Sequence, residues 1–319
     1  MSPSKHRLGI VMDPIESITP AKDSTLAMML AAQRAGLELI YLTQGGLSIQ
    51  DGQALGQGHR VSVADHPAEW FEILGAWQGP LADLDALLMR KDPPFDTEYI
   101  NSTYILELAS HAGLLVVNDP ASLRNLNEKA STAWFPQCTP PSLLTRSRED
   151  IKAFLTEHGR IVVKPLDGMG GRSIFVIKDG EPNTNVILET LTEYGDRYTL
   201  AQRFIPEISD GDKRILIVDG EIIPYALARI PAADDIRGNL VMGAKGEGRA
   251  LTKHDRWIAE QVAPTLKAQG VLFAGVDVIG EYLTEINVTS PTGIRELDRQ
   301  FDIDIAAKLI EAIKARLTS

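Results

Sequence analysis

The stretch Val163-Lys164-Pro165-Leu166-Asp167-Gly168-Met169-Gly170-Gly171-Arg172-Ser173 decides how the rest of the chain is read. An apolar run delivers a lysine, a glycine-rich loop follows, and a second strand-like run leaves it. Glycines let backbone N–H groups turn toward an anion with no Cβ in the way. Neither common phosphate motif fits. No Gly-Lys-Ser/Thr closes the loop, and no helix follows it as in a dinucleotide fingerprint. Two readings stand: a hairpin loop without a ligand, or a loop that closes over phosphates. Lys164 favours the second, because it points a cation into the region the loop covers.

Strand-like runs flank this loop in pairs: 160–164 with 173–178, 214–218 with 221–228, and 271–279 with 282–288. Their turns are Gly-containing, at 167–171, Asp219-Gly220 and Gly280-Glu281. Helical segments precede the pairs at 127–134 and 148–157, lie between them at 185–194 and 254–269, and follow at 303–317. This pattern predicts antiparallel sheets with helices packed on them. Toward the N-terminus the texture differs. Strands at 8–12, 37–42, 86–89 and 114–117 alternate with helices at 24–35 and 97–111, which predicts βαβ units around a parallel sheet. Asp51-Gly52 is a hairpin signal within 49–54. Asn118-Asp119-Pro120 breaks the pattern, and a boundary is expected near 122–123.

The chain has 319 residues, with 44% hydrophobic and 24% charged, which fits two or three globular domains and excludes a disordered or fibrous chain. A net charge of -11 argues against nucleic acid or an anionic membrane as the main partner, since both call for a basic face. A small anionic ligand stays compatible, because a local basic cluster can sit in an acidic protein. One cysteine, Cys138, excludes an intrachain disulfide framework and suits a reducing compartment. No run approaches a membrane-spanning length, and the 8–12 run is too short for a signal-peptide core. A cytoplasmic protein is the expectation.

A second chemical feature lies on the last strand pair. Asp277 interrupts one apolar strand, and Glu285 and Asn287 interrupt the next. Carboxylates in apolar strands need a cation or strong donors. Residues 285 and 287 share a face because strand side chains alternate. A three-residue turn at 280–282 would set Asp277 across from Glu285 and form an all-oxygen site of the kind Mg²⁺ prefers. A two-residue turn would pair Asp277 with Thr284 and separate the carboxylates, so register decides the point. Scattered polar residues on a solvent-facing sheet are the alternative.

Arg90, Arg214, Arg229 and Arg237 stand near breaks in the pattern, where guanidinium forks suit carboxylates and phosphates. Segment 231–249 is long and rich in Gly, Ala and charge. Its position just after Arg229 suggests a lid over an anionic site.

Together these residues resemble the ATP-grasp superfamily and, within it, the bacterial glutathione synthetase family. The resemblance spans essentially the whole chain. It is carried by LGIVMDPI, LMRKDPPFDTEYI, NEKASTAWF, KPLDGMGGRSIF, DGDKRILIVDGE, ARIPAADDIRGNL and LTEINVTSPTGIRE. It implies a parallel-sheet α/β domain over 1–122, followed by a two-lobed ATP-grasp domain with antiparallel sheets. The lobes would cover 123–204 and 205–319, with a lid at 231–249. The implied reaction joins γ-glutamylcysteine to glycine through an acylphosphate, with ATP as co-substrate, Mg²⁺ (or Mn²⁺) as the ion, and a homotetramer as the assembly. Lys129 and Lys164 would contact the phosphates, and Gly168, Met169, Gly170 and Gly171 would close over them. The Gln202-Arg203-Phe204-Ile205 hinge would read adenine through its backbone, and Asp212 would bind ribose. Residues 203 and 204 depart from the family's side chains, which backbone reading tolerates. Asp277, Glu285 and Asn287 would hold the metal. Arg214 and Arg229 would sit by the phosphoryl and acyl groups, Arg237 would reach the substrate from the lid, and Arg90 and Ser290 would line the substrate side. Two other readings remain open: a ligase for other amino acids, which the N-terminal match disfavours, and a nucleotide-binding protein without turnover.

Overall fold

The alternation of apolar strands and amphipathic helices folds into three sheets, and the computed structural model describes residues 6–168, 172–232 and 245–318. The first sheet contains β1 (Arg7–Val11), β2 (Glu38–Gln50), β3 (Gln53–Val63), β4 (Phe71–Pro80), β5 (Ala86–Met89) and β6 (Leu115–Val117), in the order β4-β3-β2-β1-β5-β6. The expected parallel sheet is its β2-β1-β5-β6 half. The Asp51-Gly52 turn, with φ of 50° and 77°, continues it into antiparallel β3 and β4. Helices α1 (Ser24–Arg34) and α2 (Thr97–His111) start where Asp23 and Asp96 side chains cap them.

The second sheet is antiparallel, in the order β7-β10-β8-β9. Its strands are β7 (Ser142–Thr145), β8 (Arg160–Pro165), β9 (Phe175–Lys178) and β10 (Thr199–Arg203). Helices α4 (Arg148–His158) and α5 (Thr184–Thr192) cover it, while α3 (Pro120–Asn125) and a 3₁₀ turn at Ala130–Trp134 lead into it. The third sheet is also antiparallel, in the order β13-β12-β11-β14-β15. It contains β11 (Asp212–Val218), β12 (Glu221–Ile230), β13 (Lys245–Ala250), β14 (Phe273–Ile279) and β15 (Tyr282–Asn287). Helices α6 (Lys253–Ala268), α7 (Ile294–Phe301) and α8 (Ile305–Leu317) pack around it.

Two findings correct the sequence reading. Residues 245–249 of the expected lid are strand, paired to β12 from Lys245 opposite Ile230 to Ala250 opposite Tyr225. Residues 233–244 of that segment lie outside the described residues. The expected helix at 127–134 is only a 3₁₀ turn, from Ala130 to Trp134.

The cores show which parts pack as one. Two apolar clusters each run from the first sheet into the third: Leu87 and Met89 share one with Val276 and Ile286, and Leu8 and Ile10 share the other with Leu216 and Ile310. The second sheet has its own small core, built from Ile151, Leu155, Ile161, Val163, Ile177, Leu188, Leu191 and Ala201. The first and third sheets therefore form one continuous body, and the second is a lobe set on it. Asn118 stitches that body. Its side chain donates to Phe273 O and Val288 O at 2.8 and 2.7 Å and accepts from Leu272 N and Phe273 N at 2.8 and 2.9 Å. A buried amide with all four bonds made fixes one arrangement of its neighbours.

Candidate active site

Side-chain alternation gathers the polar residues of the third sheet on one face. Asp212 lies opposite Arg229, Arg214 opposite Asp277, Asp277 opposite Glu285, and Gly275 opposite Asn287. Directly opposed residues share a face, so these side chains form one row across four strands.

The register is reached by a route the sequence reading did not foresee. The β14–β15 turn has two residues, with Ile279 opposite Tyr282 and Val278 opposite Leu283. Carried on unbroken, that register would set Asp277 against Thr284. A β-bulge intervenes, Thr284 becomes the extra residue, and Asp277 faces Glu285. The Thr284 hydroxyl donates to Asp277 O at 3.2 Å and occupies the inserted position. The three-residue turn that the sequence reading required is absent, and the bulge supplies the missing step.

Asp277 is 1% exposed and fully engaged. Oδ1 accepts from Arg214 Nε at 2.8 Å. Oδ2 accepts from Arg214 Nη2 at 2.7 Å, Arg229 Nη2 at 2.8 Å and Asn287 Nδ2 at 3.2 Å. Burial works to raise its pKa, but Arg214 and Arg229 overcome it and hold the carboxyl below the usual carboxylate range. Arg229 also donates to the Asp212 carboxylate. Burial pushes Asp212 up to about 6 in spite of Arg229. Arg214 and Arg229 were expected beside the phosphoryl and acyl groups. Both are committed to carboxylates of their own sheet.

A looser cluster sits against this row. Lys164, at the end of β8, and Lys129, at the start of the 3₁₀ turn, place their Nζ atoms 3.6 and 3.8 Å from Glu285 Oε1. Lys129 also donates to Glu128 Oε1 and, at 2.7 Å, to Gly168 O at the root of the glycine-rich loop. A Cβ at Gly168 would stand 2.8 Å from Pro165 Cγ, so the loop root is closely packed. Burial lowers the Lys164 pKa, with Glu285 opposing it. Burial acts the same way on Lys129, but Glu285 and Glu128 outweigh it and the net shift is upward. Burial, reinforced by Glu285, raises the Glu128 carboxyl. Glu128 was not anticipated, and its only sequence signal is its place beside Lys129.

The expectation of a cation-rich cleft needs correction as well. Lys129, Lys164, Arg214 and Arg229 are matched by Glu128, Asp212, Asp277 and Glu285, four against four. A polyphosphate bound here would need added positive charge, which a divalent ion supplies. Among the described residues, no group of three or more His, Cys, Asp or Glu side chains could hold a metal ion by itself. The donors still fit Mg²⁺ arriving with a nucleotide. Glu285 makes only long contacts, and Asn287 turns its Nδ2 toward Asp277, which leaves Oδ1 to a ligand. Mg²⁺ commonly takes one or two carboxylates and completes its shell with phosphate oxygens and water.

The hinge follows β10. Gln202 is buried and donates from Nε2 to Ser142 Oγ at 3.1 Å. Arg203 N donates to Pro141 O at 2.9 Å and Phe204 N to Arg160 O at 3.1 Å. Those two amides are spent on the protein, and Ile205 N–H is the one in this segment with no acceptor among the described residues. Arg203 Nη2 reaches Tyr282 Oη at 2.8 Å, tying the second sheet to β15.

Arg90 and Ser290 meet across the interface of the first and third sheets. Arg90 follows β5, beside β1, where the strand order reverses; ligands of open α/β sheets gather at that point. Arg90 Nη2 donates to Pro291 O at 3.0 Å and Nε to Thr25 Oγ1 at 3.1 Å, while Ser290 Oγ donates to Asp92. Arg90 Nη1 and the Tyr99 hydroxyl are buried without a partner among the described residues. Met169, Gly170, Gly171 and Arg237 lie outside the described residues. Cys138 is buried, and burial alone raises its pKa, as expected of an inert thiol.

Comparison with known proteins agrees with this geometry. Residues 7–124 match the family model for the N-terminal domain of prokaryotic glutathione synthetase, and 128–302 match that for its ATP-grasp domain. The glutathione synthetase of Vibrio cholerae is 57% identical over 311 residues, covering 98% of each chain. That of Escherichia coli K12 is 55% identical with the same coverage. Among solved structures, D-cycloserine synthetase DcsG superposes with a TM-score of 0.68 at 14% identity, covering 98% of this chain and 99% of that one. The ATP-grasp ligase PsnB, complexed with minimal precursor, Mg and ADP, gives 0.63 at 15% identity and covers 98% of each chain. These two likenesses concern the fold alone.

Proposed function

The chain belongs to the prokaryotic glutathione synthetase family, and from that premise we propose that it joins γ-glutamylcysteine to glycine in an ATP- and Mg²⁺-dependent reaction that yields glutathione, ADP and phosphate. The observation that carries this reading is near-full-length identity to glutathione synthetases, which takes in the substrate-side domain as well as the nucleotide-binding one.

A carboxylate is a poor electrophile. Transfer of the γ-phosphoryl group to the cysteinyl carboxylate makes an acylphosphate. The glycine amine attacks its carbonyl carbon, the bond to the phosphate oxygen breaks, and the amine gives up a proton. Such chemistry is served mainly by positioning and by charge placed where it develops. In this reading Lys129 and Lys164 contact the phosphates, because both ammoniums are buried at the loop root and lie 3.8 and 3.6 Å from Glu285, with Lys129 bonded also to Glu128 and Gly168 O. Glu285 and Asn287 hold Mg²⁺, with Asp277 behind them. Arg214 bonds its carboxylate through Nε and Nη2 and Arg229 bonds its two through Nη2, which keeps that anionic row fixed, while among the described residues Nη1 of each is the donor group left for the reacting groups. The Ile205 amide and the Arg203 carbonyl read adenine, and Asp212 serves the ribose side. Arg90 and Ser290 form the dipeptide side, supported by the unpartnered Arg90 Nη1. The roles of Met169, Gly170, Gly171 and Arg237 rest on the resemblance alone.

The division into 1–122, 123–204 and 205–319 belongs to the same proposal and is supported by one sheet in each part. Further parts are a lid within 231–249, Mn²⁺ as a substitute ion, a cytoplasmic location and a homotetramer. Among the described residues no helix is long and apolar enough to cross a membrane. The exposed Ile73 and Leu74 on edge strand β4 suit a subunit contact.

The test is incubation with γ-glutamylcysteine, ¹⁵N-glycine and Mg·ATP. Mass spectrometry should find glutathione one mass unit heavier than normal, formed in step with ADP. Release of ADP at the same rate without γ-glutamylcysteine would overturn the assignment.

A further inference from the structure

The three residues Asn127-Glu128-Lys129 touch every part of the loose cluster. Glu128 O accepts from Ile286 N at 2.8 Å, between Glu285 and Asn287 on β15. Lys129 Nζ reaches Gly168 O and Glu285. Asn127 does the rest. Its Oδ1 accepts from Lys129 N at 3.1 Å and Ala130 N at 2.9 Å, which shapes the turn that presents Lys129. Its Nδ2 donates to Leu166 O at 3.1 Å, two residues past Lys164 and two before Gly168. One small side chain thus binds the Lys129 turn to the strand end that carries Lys164.

We propose that Asn127 is a positioning residue for nucleotide binding, which fixes the spacing of the Lys129 and Lys164 ammoniums over Glu285. The inference rests on the reading of this cluster as the phosphate site. Only an amide at this length does both jobs: the oxygen shapes the turn, and the nitrogen holds the Leu166 carbonyl. An isolated ammonium on a flexible four-carbon stem has no fixed position of its own. The backbone from which Lys129 departs, and the loop root it bonds, must therefore be held by something else.

Asn127→Asp separates the two jobs. It keeps an acceptor for the Lys129 and Ala130 amides and loses the donor to Leu166 O. Asn127→Ser, which keeps a short oxygen for the turn but cannot span to Leu166, is the second variant. Titration of Mg·ATP by calorimetry, with steady-state kinetics and thermal unfolding on the same preparations, reads the result. Both variants should bind Mg·ATP about tenfold more weakly, the size of one lost hydrogen bond. KM for ATP should rise in proportion, with KM for γ-glutamylcysteine and the Tm of the free protein nearly unchanged. Nucleotide affinity within twofold of wild type in whichever variant folds would overturn the proposal. A lowered Tm with all KM values unchanged would do the same by assigning Asn127 a purely structural role. Failure of the wild-type protein to bind Mg·ATP at all would sink the phosphate-site reading instead, so the two failures are distinguishable.

Discussion

Two charged clusters lie side by side in this protein and are built in opposite ways. Around Asp277 the bonds are internal and directional: Arg214 grips it with two short bonds, Arg229 adds a third, Asn287 a longer fourth, and almost no surface is exposed. Around Glu285 the contacts with Lys129 and Lys164 are 3.8 and 3.6 Å, longer than good charge-assisted hydrogen bonds. The first cluster is complete without a ligand. The second holds two buried ammoniums and a carboxylate near one another without satisfying them fully, which is the condition in which Mg²⁺ and phosphate oxygens improve every interaction. On this account, stability is concentrated in the first cluster and turnover in the second.

Removing charge from each cluster separates them. Asp277→Asn leaves the buried Arg214 guanidinium without its anion and Arg229 with Asp212 alone. It should cost about 3–5 kcal/mol of unfolding free energy in urea titrations, even without nucleotide or metal. Glu285→Gln removes a carboxylate whose contacts are 3.6 and 3.8 Å long, so it should cost clearly less stability than Asp277→Asn while lowering kcat by about 10²–10³, as loss of a charge-stabilising group does. Equal stability losses at the two positions would erase the distinction.

Lys164→Met sharpens the comparison from the cation side. Lys164 is buried, with its nearest anion, Glu285, 3.6 Å away, so an apolar side chain of similar reach should leave the free protein about as stable as before. The same variant should lose most of its affinity for Mg·ATP. A marked drop in Tm without nucleotide would mean that Lys164 is structural.

The smallest effect concerns pH. The Asp212 pKa is raised by burial from 3.8 to about 6. A carboxyl raised on folding stabilises the native state below its unfolded pKa and loses that contribution as pH rises through the folded one. Asp212 therefore favours the fold near pH 3 and opposes it above about 6. Asp212→Asn should flatten the stability profile between those limits, measured as the urea midpoint in steps of pH. An unaltered profile would show that Asp212 titrates normally.

Much of this was legible in the sequence. Period-2 alternation placed Glu285 and Asn287 on one face, and the apolar run into glycines marked Lys164 and the loop root. The link between Asp277 and Glu285 was not legible from the turn, because its length alone predicts the wrong register and only the Thr284 bulge restores it. Strand β13 (KGEGRA) was read as loop because two glycines and its charges give it little strand propensity; pairing with β12 overrides that. The convergence of Arg214 and Arg229 on Asp277, and the reach of Asn127 to Leu166, join residues far apart in the chain. No local pattern announces such contacts.

The most direct test of the division of labour is thermal unfolding with and without Mg·ATP, for the wild-type protein and Glu285→Gln. Any ligand that binds only the folded state raises its stability, by about 2.7 kcal/mol at a hundredfold excess over Kd. A clear Tm rise that requires Mg²⁺ is expected for wild type, and little or none for Glu285→Gln although its unliganded form stays folded. An equal rise in both proteins, or a rise in wild type that does not depend on Mg²⁺, would contradict that division.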